Sequence, residues 1–225
     1  MTRWRERAIR EVRDELDRFL NFPINQQITL GDFGTYDNRF CRFTWEGNIS
    51  ALGVECESNG FQHEIAETYA TSGKVKIQGR LSIGSVYPSI DVSFSRASAL
   101  AFKAFKIGFD QVQLKALERS FNKAIRGGLQ WERSKVIVTS IWQADGFTHL
   151  VAGGSKSGVQ IEATMGGTAA SFNFADPSLG LNVCLERQMS YCAVGQNHVK
   201  PYFAIHKLRE HAPGDWALYR YGLRN

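Results

Sequence analysis

Residues 74–83 alternate strictly. Val75, Ile77, Leu81 and Ile83 fall on one side of an extended chain, with Gly79 in step, and Lys74, Lys76, Gln78, Arg80 and Ser82 fall on the other. This two-residue period predicts a half-buried β-strand. Ile90, Val92 and Phe94 repeat the alternation beyond a Tyr87-Pro88 turn. The run from Leu100 to Phe109 stays extended, with a parity that leaves room for a bulge. Residues 74–109 therefore read as one long hairpin. Upstream, Ile28–Phe43 reads as two strands around an Asp37-Asn38 turn, Gly47–Val54 as a further punctuated segment, and 55–72 as polar surface loop or short helix. Downstream, residues 135–143 are apolar on both faces, as in a buried central strand. Further strands follow at 147–152, 158–164, 179–186 and 199–208. Gly153-Gly154-Ser155-Lys156-Ser157-Gly158 has the composition of a hairpin turn between 147–152 and 158–164.

Two segments carry the helical period instead. Trp4, Ile9, Val12, Leu16, Phe19 and Leu20 make an amphipathic stripe over residues 2–20, which Pro23 stops. Leu114, Leu117, Phe121 and Ile125 make a second stripe, with Asp110 and Gln113 as a capping box and Gly127-Gly128 as the stop. The sum is an α+β chain: a twisted, mainly antiparallel sheet with peripheral helices.

Composition narrows the function. The chain has 225 residues and a net charge of +5, with 43% apolar residues, which suits one folded domain. The charge is uneven. Residues 1–72 carry eight Lys and Arg against twelve acids, 73–133 eleven against four, and 134–225 eight against six. The central surplus of +7 predicts a patch for phosphate groups on lipid or nucleic acid. The Arg-rich start holds no apolar signal core and no run approaches a membrane helix, so a cytoplasmic protein is expected.

Candidate chemistry is sparse. The sequence has no GxxxxGK[ST], GxGxxG or HExxH, and no residue is assigned a catalytic role. Cys41, Cys56, Cys184 and Cys192 form no CxxC pair and share no zinc-like spacing with His63, His149, His198, His206 or His211. Buried free thiols are the expected state, with a bond between Cys184 and Cys192 left open. Phe94, Phe102, Phe105 and Phe109 near the basic strand admit either core packing or base stacking. Trp216, Leu218, Tyr219, Tyr221 and Leu223 are too apolar for a free end and are expected to dock on the sheet or its flanking helices.

The order of elements carries a resemblance. Three stretches are most similar: Ile90-Asp91-Val92-Ser93-Phe94-Ser95-Arg96 ahead of a helix, Val136-Ile137-Val138-Thr139-Ser140-Ile141-Trp142, and Val199-Lys200-Pro201-Tyr202-Phe203-Ala204-Ile205-His206-Lys207-Leu208. With an amphipathic first helix and hairpins at 74–109 and 135–164, this order resembles the pore-forming domain of the gasdermins, including compact bacterial members, over most of the chain. The resemblance implies a single domain at 1–208 and a short, inhibitory C-terminal tail at 209–225 that holds Trp216, Leu218, Tyr219, Tyr221 and Leu223. It implies an activating protease, binding to acidic membrane lipids, and a homo-oligomer whose two hairpins extend into a transmembrane barrel. In bacteria such proteins look like cell-suicide effectors against phage, so relocation from the cytoplasm to the inner membrane is implied. On that reading Lys74, Lys76, Arg80, Arg96, Lys103 and Lys106 meet the membrane first, and Val75, Ile77, Leu81 and Ile83 face lipid after insertion.

The second class of function is a soluble β-rich binding protein whose basic patch contacts nucleic acid or an acidic partner. Neither reading needs a metal or organic cofactor. Untagged protein is expected to fold without stoichiometric metal. One equivalent of zinc, with unfolding on chelation, is the contrary result.

Overall fold

Where apolar residues alternate, the chain forms strands; where they recur every three or four residues, it coils. A computed structural model describes residues 10, 13, 17–21, 26–60, 62–63, 68–70, 75–80, 88–97, 99–165 and 173–222. In chain order the strands are β1 (Phe19–Leu20), β2 (Asp32–Asp37), β3 (Arg42–Asn48), β4 (Gln62–His63), β5 (Thr68–Ala70), β6 (Val75–Arg80), β7 (Ser89–Phe94) and β8 (Leu100–Gln111). Helix α1 (Leu114–Arg126) follows, then β9 (Lys135–Ala152), β10 (Gly158–Ala163), β11 (Leu181–Arg187), β12 (Met189–Ala212) and β13 (Asp215–Arg220). The strand pairings among the described residues are antiparallel, so the architecture is the mainly antiparallel α+β one expected.

The chain divides into two units. One comprises the described residues of His63–Ile107 and Gln143–Val199, the other those of Ile9–Gln62, Gly108–Trp142 and Lys200–Asn225.

In the second unit the strand order is β1-β12-β9-β2-β3, with β13 paired to β12. Successive residues of β9 serve opposite faces. Ile137 joins Phe33, Ile49, Val54, Val112 and Leu208 against Leu117 and Phe121 of α1. Val136 and Val138 join Phe19, Ile28, Ile141, Phe203 and Ile205 on the other side. That is why apolar residues of 135–143 serve both faces of the strand. The β2–β3 turn is closed by Asp37, whose Oδ1 accepts the N–H groups of Arg39 (2.7 Å) and Phe40 (3.1 Å).

Two expectations are corrected here. The capping box does not form: Asp110 lies within β8, and α1 begins after Gln113, which makes no side-chain cap bond. The reason is backbone pairing, since Val112 N–H donates to Thr139 O and Gln113 N–H to Glu57 O, both at 2.9 Å. Phe19 and Leu20, expected to end a helix, form β1 because they pair with Phe203 and Tyr202. Arg10 and Arg13 are helical, and most of 2–20 lies outside the described residues. The expected stop of α1 is present: Gly127 is its C-cap, and Gly128 follows at φ 103.

In the first unit β11-β10-β7-β6 form a four-stranded sheet. Ile90, Val92, Phe94, Val159, Ile161 and Ala163 line its inner face and pack on Leu150 and Ala152 of β9 and Ala99 and Ala101. The long hairpin over 74–109 is therefore shorter than expected. β6 pairs with β7 from Val75↔Phe94 to Arg80↔Ser89, whereas β8 leaves that sheet and pairs with β5 and β9. Within β8, Lys106 takes a left-handed backbone at φ 49.

The second expected hairpin is also corrected. β9 runs unbroken through 143–147, and β10 pairs not with it but with β7 and β11. The glycine-rich loop instead closes on the β11–β12 turn. Gln188 O accepts from Gly153 N–H (2.8 Å) and from Ser157 Oγ (2.6 Å). A Cβ on Gly153 would lie 2.6 Å from that oxygen, so only glycine allows the approach.

Ile161→Ala removes a side chain buried on the inner face of the four-stranded sheet and is expected to cost about 2–5 kcal/mol in denaturant unfolding. Gln160→Ala on the outer face is expected to stay within about 0.5 kcal/mol. Equal costs would contradict the assigned polarity of the sheet.

Candidate membrane-binding surface

Paired residues in antiparallel strands project to the same side of the sheet. On the outer face this produces a row that crosses all four strands: Lys76↔Ser93, Ser93↔Gly158 and Gly158↔Arg187. The small side chains at the centre leave both edge cations uncovered. Phe94 N–H donates to Ser157 O at 2.9 Å, so Lys156 and Arg96 flank the same end of the sheet. Lys76, Arg96, Lys156 and Arg187 are all exposed. None makes an ion pair with another described residue. Four uncompensated cations on one rim, beside a Gly-Gly-Ser turn, can attract several phosphate groups at once.

The rest of that face is mixed in charge. Gln78↔Asp91 and Asp91↔Gln160 form the next row. Beyond it Glu162 pairs in register with Ser89 and Asn182, and its Oε2 accepts from Cys184 Sγ at 3.1 Å. The positive charge thus sits at the end carrying the 153–158 loop.

The expected site residues do not stay together. Lys76 and Arg96 belong to the rim. Lys103 is half-buried, its Nζ 5.1 Å from the Phe174 ring centroid, and burial lowers its pKa. Lys106 is exposed, its Nζ 4.0 Å from Asp145 Oδ2. Arg80 and Ile77 hold their register with Ser89 and Val92, and Val75 packs against the inner core. Lys74, Leu81, Ile83 and Leu223 lie outside the described residues. Lys156 and Arg187 were missed, because only the pairing of β10 with both β7 and β11 brings them beside Lys76.

The C-terminal residues lie in the second unit. Residues 209–212 continue β12, and 215–220 form β13. Trp216 and Leu218 pack against the α1 cluster, and Tyr221 against the cluster of Phe19 and Phe203. Tyr219 is exposed, with its hydroxyl 3.3 Å from His211 Nδ1.

Of the four rings considered for base stacking, Phe105 is half-buried, with Lys106 Nζ 5.2 Å from its centroid. Phe94 and Phe102 are buried, and Phe109 stacks on Trp142 at 6.1 Å. Cys184 and Cys192 are both free, and Cys184 is exposed rather than buried. Burial raises the pKa values of Cys56, Cys184 and Cys192, the last to about 11, so these groups stay thiols at neutral pH. Among the described residues no three His, Cys, Asp or Glu side chains form a metal-ligand group.

No family model matches this sequence, and no curated protein matches it. Among solved structures the chain is similar to a bacterial gasdermin from Bradyrhizobium tropiciagri, at 11% identity over 94% of this chain and 90% of that one, with a TM-score of 0.43. It is also similar to the gasdermin A3 membrane pore, at 12% identity over 96% of this chain and 94% of that one, with a TM-score of 0.37.

One buried group in the first unit has no role in the rim. His149 of β9 is fully buried, and among the described residues neither ring nitrogen has a hydrogen-bond partner. The rings of Tyr191, Phe147 and Phe102 surround it, with centroids at 5.3, 6.1 and 6.3 Å. Burial pushes its pKa down to about 4. The folded form therefore resists a proton that the unfolded form accepts below its ordinary value of about 6.5. Stability is complete above that value and falls as pH drops from 6.5 towards 4. In urea titrations at pH 7.5 and 4.5, His149→Leu is expected to remove roughly 2–3 kcal/mol of the acid-induced loss. Equal losses in both proteins would rule His149 out as a source of acid sensitivity.

Proposed function

We propose that this chain is a membrane pore-forming protein of the gasdermin type. The observation that carries the reading is the four-stranded sheet of the first unit, apolar on one face, polar on the other and rimmed by unpaired cations. In water its apolar face packs on the chain's own core. In lipid the same face can meet acyl chains, provided the strands join a closed sheet that pairs every backbone group. β6 and β7 have six residues each, short of the ~9–11 that span a bilayer. Insertion therefore requires both to lengthen into their flanking residues.

In this reading Lys76, Arg96, Lys156 and Arg187 dock the sheet on acidic lipid, and Lys74 and Arg80 add to the charge. Copies of the chain then assemble in the membrane. The segment 209–225 acts as the restraint, and a protease releases it. The chain acts from the cytoplasm on the inner membrane, as a cell-death effector in defence against phage, without catalysis of its own.

The test is dye leakage from vesicles after limited proteolysis of the full chain. Leakage is expected from vesicles rich in acidic lipid and not from neutral ones. Each cation near such a surface contributes about 1 kcal/mol, so reversing Lys76, Arg96, Lys156 and Arg187 to Glu is expected to weaken vesicle binding at least a hundredfold. Folding is expected to persist, because exposed charges add little stability. A wild-type chain that never causes leakage, or a quadruple variant that binds as well, would sink the proposal.

A further inference from the structure

β13 is held on both of its edges. On one side it pairs with β12, from His206↔Arg220 to Ala212↔Asp215. On the other side α1 stands in for a strand. Asn122 Nδ2 donates to Trp216 O at 2.8 Å, and its Oδ1 accepts Trp216 N–H at 2.9 Å. Glu118 Oε1 accepts Leu218 N–H at 2.9 Å. The spacing explains the fit: four helical residues rise ~6 Å and two strand residues ~6.6 Å. Glu118 and Asn122 therefore meet alternate residues of the strand.

His206 of β12 is the register partner of Arg220 in β13. It is buried, and its Nδ1 is 2.7 Å from Thr139 Oγ1 of β9. The charged groups that act on it are Arg220 of β13 and Glu118 of α1. Arg220 is itself held by Asp17, at 2.6 Å, so its charge stays in place. Burial, and then Arg220, push the His206 pKa down to about 4, and Glu118 only partly opposes them.

We propose that His206 is an acid-sensitive latch: its protonation releases β13 from β12 and α1. The release itself stands on the local geometry. Its consequence, activation by acid as well as by cleavage, rests on the reading of 209–225 as a restraint. With β13 closed, the imidazole is neutral. With β13 displaced it is solvated and accepts a proton below its ordinary value of about 6.5. Above that value both states are neutral and the latch is indifferent to pH. Between 6.5 and 4 each drop in pH favours the open state, and from pH 7.5 to 5.0 the open population rises about thirtyfold.

Hydrogen exchange of residues 215–220 in the full chain tests this, after correction for intrinsic rates at the two pH values. The expected result is a rise of about thirtyfold in the wild type and less than threefold in His206→Gln, whose amide can keep the bond to Thr139. No rise in the wild type, an equal rise in the variant, or an equal rise across β2 would overturn the latch. If the variant does not fold, NMR titration of the wild-type imidazole decides. A midpoint below pH 5 supports the proposal and one near 6.5 overturns it. Vesicle leakage measured alongside separates the two readings. Strand release without leakage counts against the pore and leaves the latch, and leakage without pH-dependent release does the reverse.

Discussion

β9 has almost no solvent-facing residue between Val136 and Ala152, and much of the fold follows from that. A strand buried on both faces must be covered twice, because each uncovered Val, Ile or Leu forfeits roughly 1.5–3 kcal/mol. In the second unit the covers are α1 over Ile137 and a cluster of Phe19, Ile28, Phe203 and Ile205 over Val136 and Val138. In the first unit Leu150 and Ala152 are covered by the four-stranded sheet, while Phe147 and His149 meet Phe102 and Tyr191. Two-sided burial also explains why the buried polar groups of this strand are Thr139, Ser140, Thr148 and His149, short or aromatic side chains, while Lys135, Gln143 and Asp145 keep partial exposure.

The same demand makes the four-stranded sheet amphipathic. One face is committed to the core by Val92, Val159 and Ile161, so the polar residues between them must face outward. On that outer face the cations collect at one end for a topological reason. The starts of β6 and β10 and the ends of β7 and β11 coincide there, bringing Lys76, Arg96, Lys156 and Arg187 together. A face that exchanges one apolar environment for another need not change its own side chains.

Two neutral imidazoles sit in these cores, and they differ in kind. His149 is unpartnered among aromatic rings, so its charge would have nothing to meet. His206 has the Thr139 hydroxyl at 2.7 Å, and Arg220 and Glu118 act on it with opposite sign, so its charge would be contested by named neighbours. Protonating the first strains the core of a unit; protonating the second bears on a single strand.

The sequence by itself determined the period of each segment, and so the β6–β7 alternation, the two-sided character of β9, the stripe and stop of α1, and the docking of an apolar C-terminal stretch. Those are local properties: side-chain direction follows from residue spacing alone. Only the tertiary structure decided which strands are partners. The loop at 153–158 has the composition of a hairpin turn whether its flanks pair with each other or enter different sheets. Nothing in those residues records that Gln188 O will bind Gly153 and Ser157. For the same reason Lys103 and Lys106 counted towards a basic strand in sequence but lie apart from the rim, and Lys156 and Arg187 joined it unannounced. Charge is legible residue by residue, whereas a patch is a sum over neighbours that the chain acquires only when β10 takes β7 on one edge and β11 on the other.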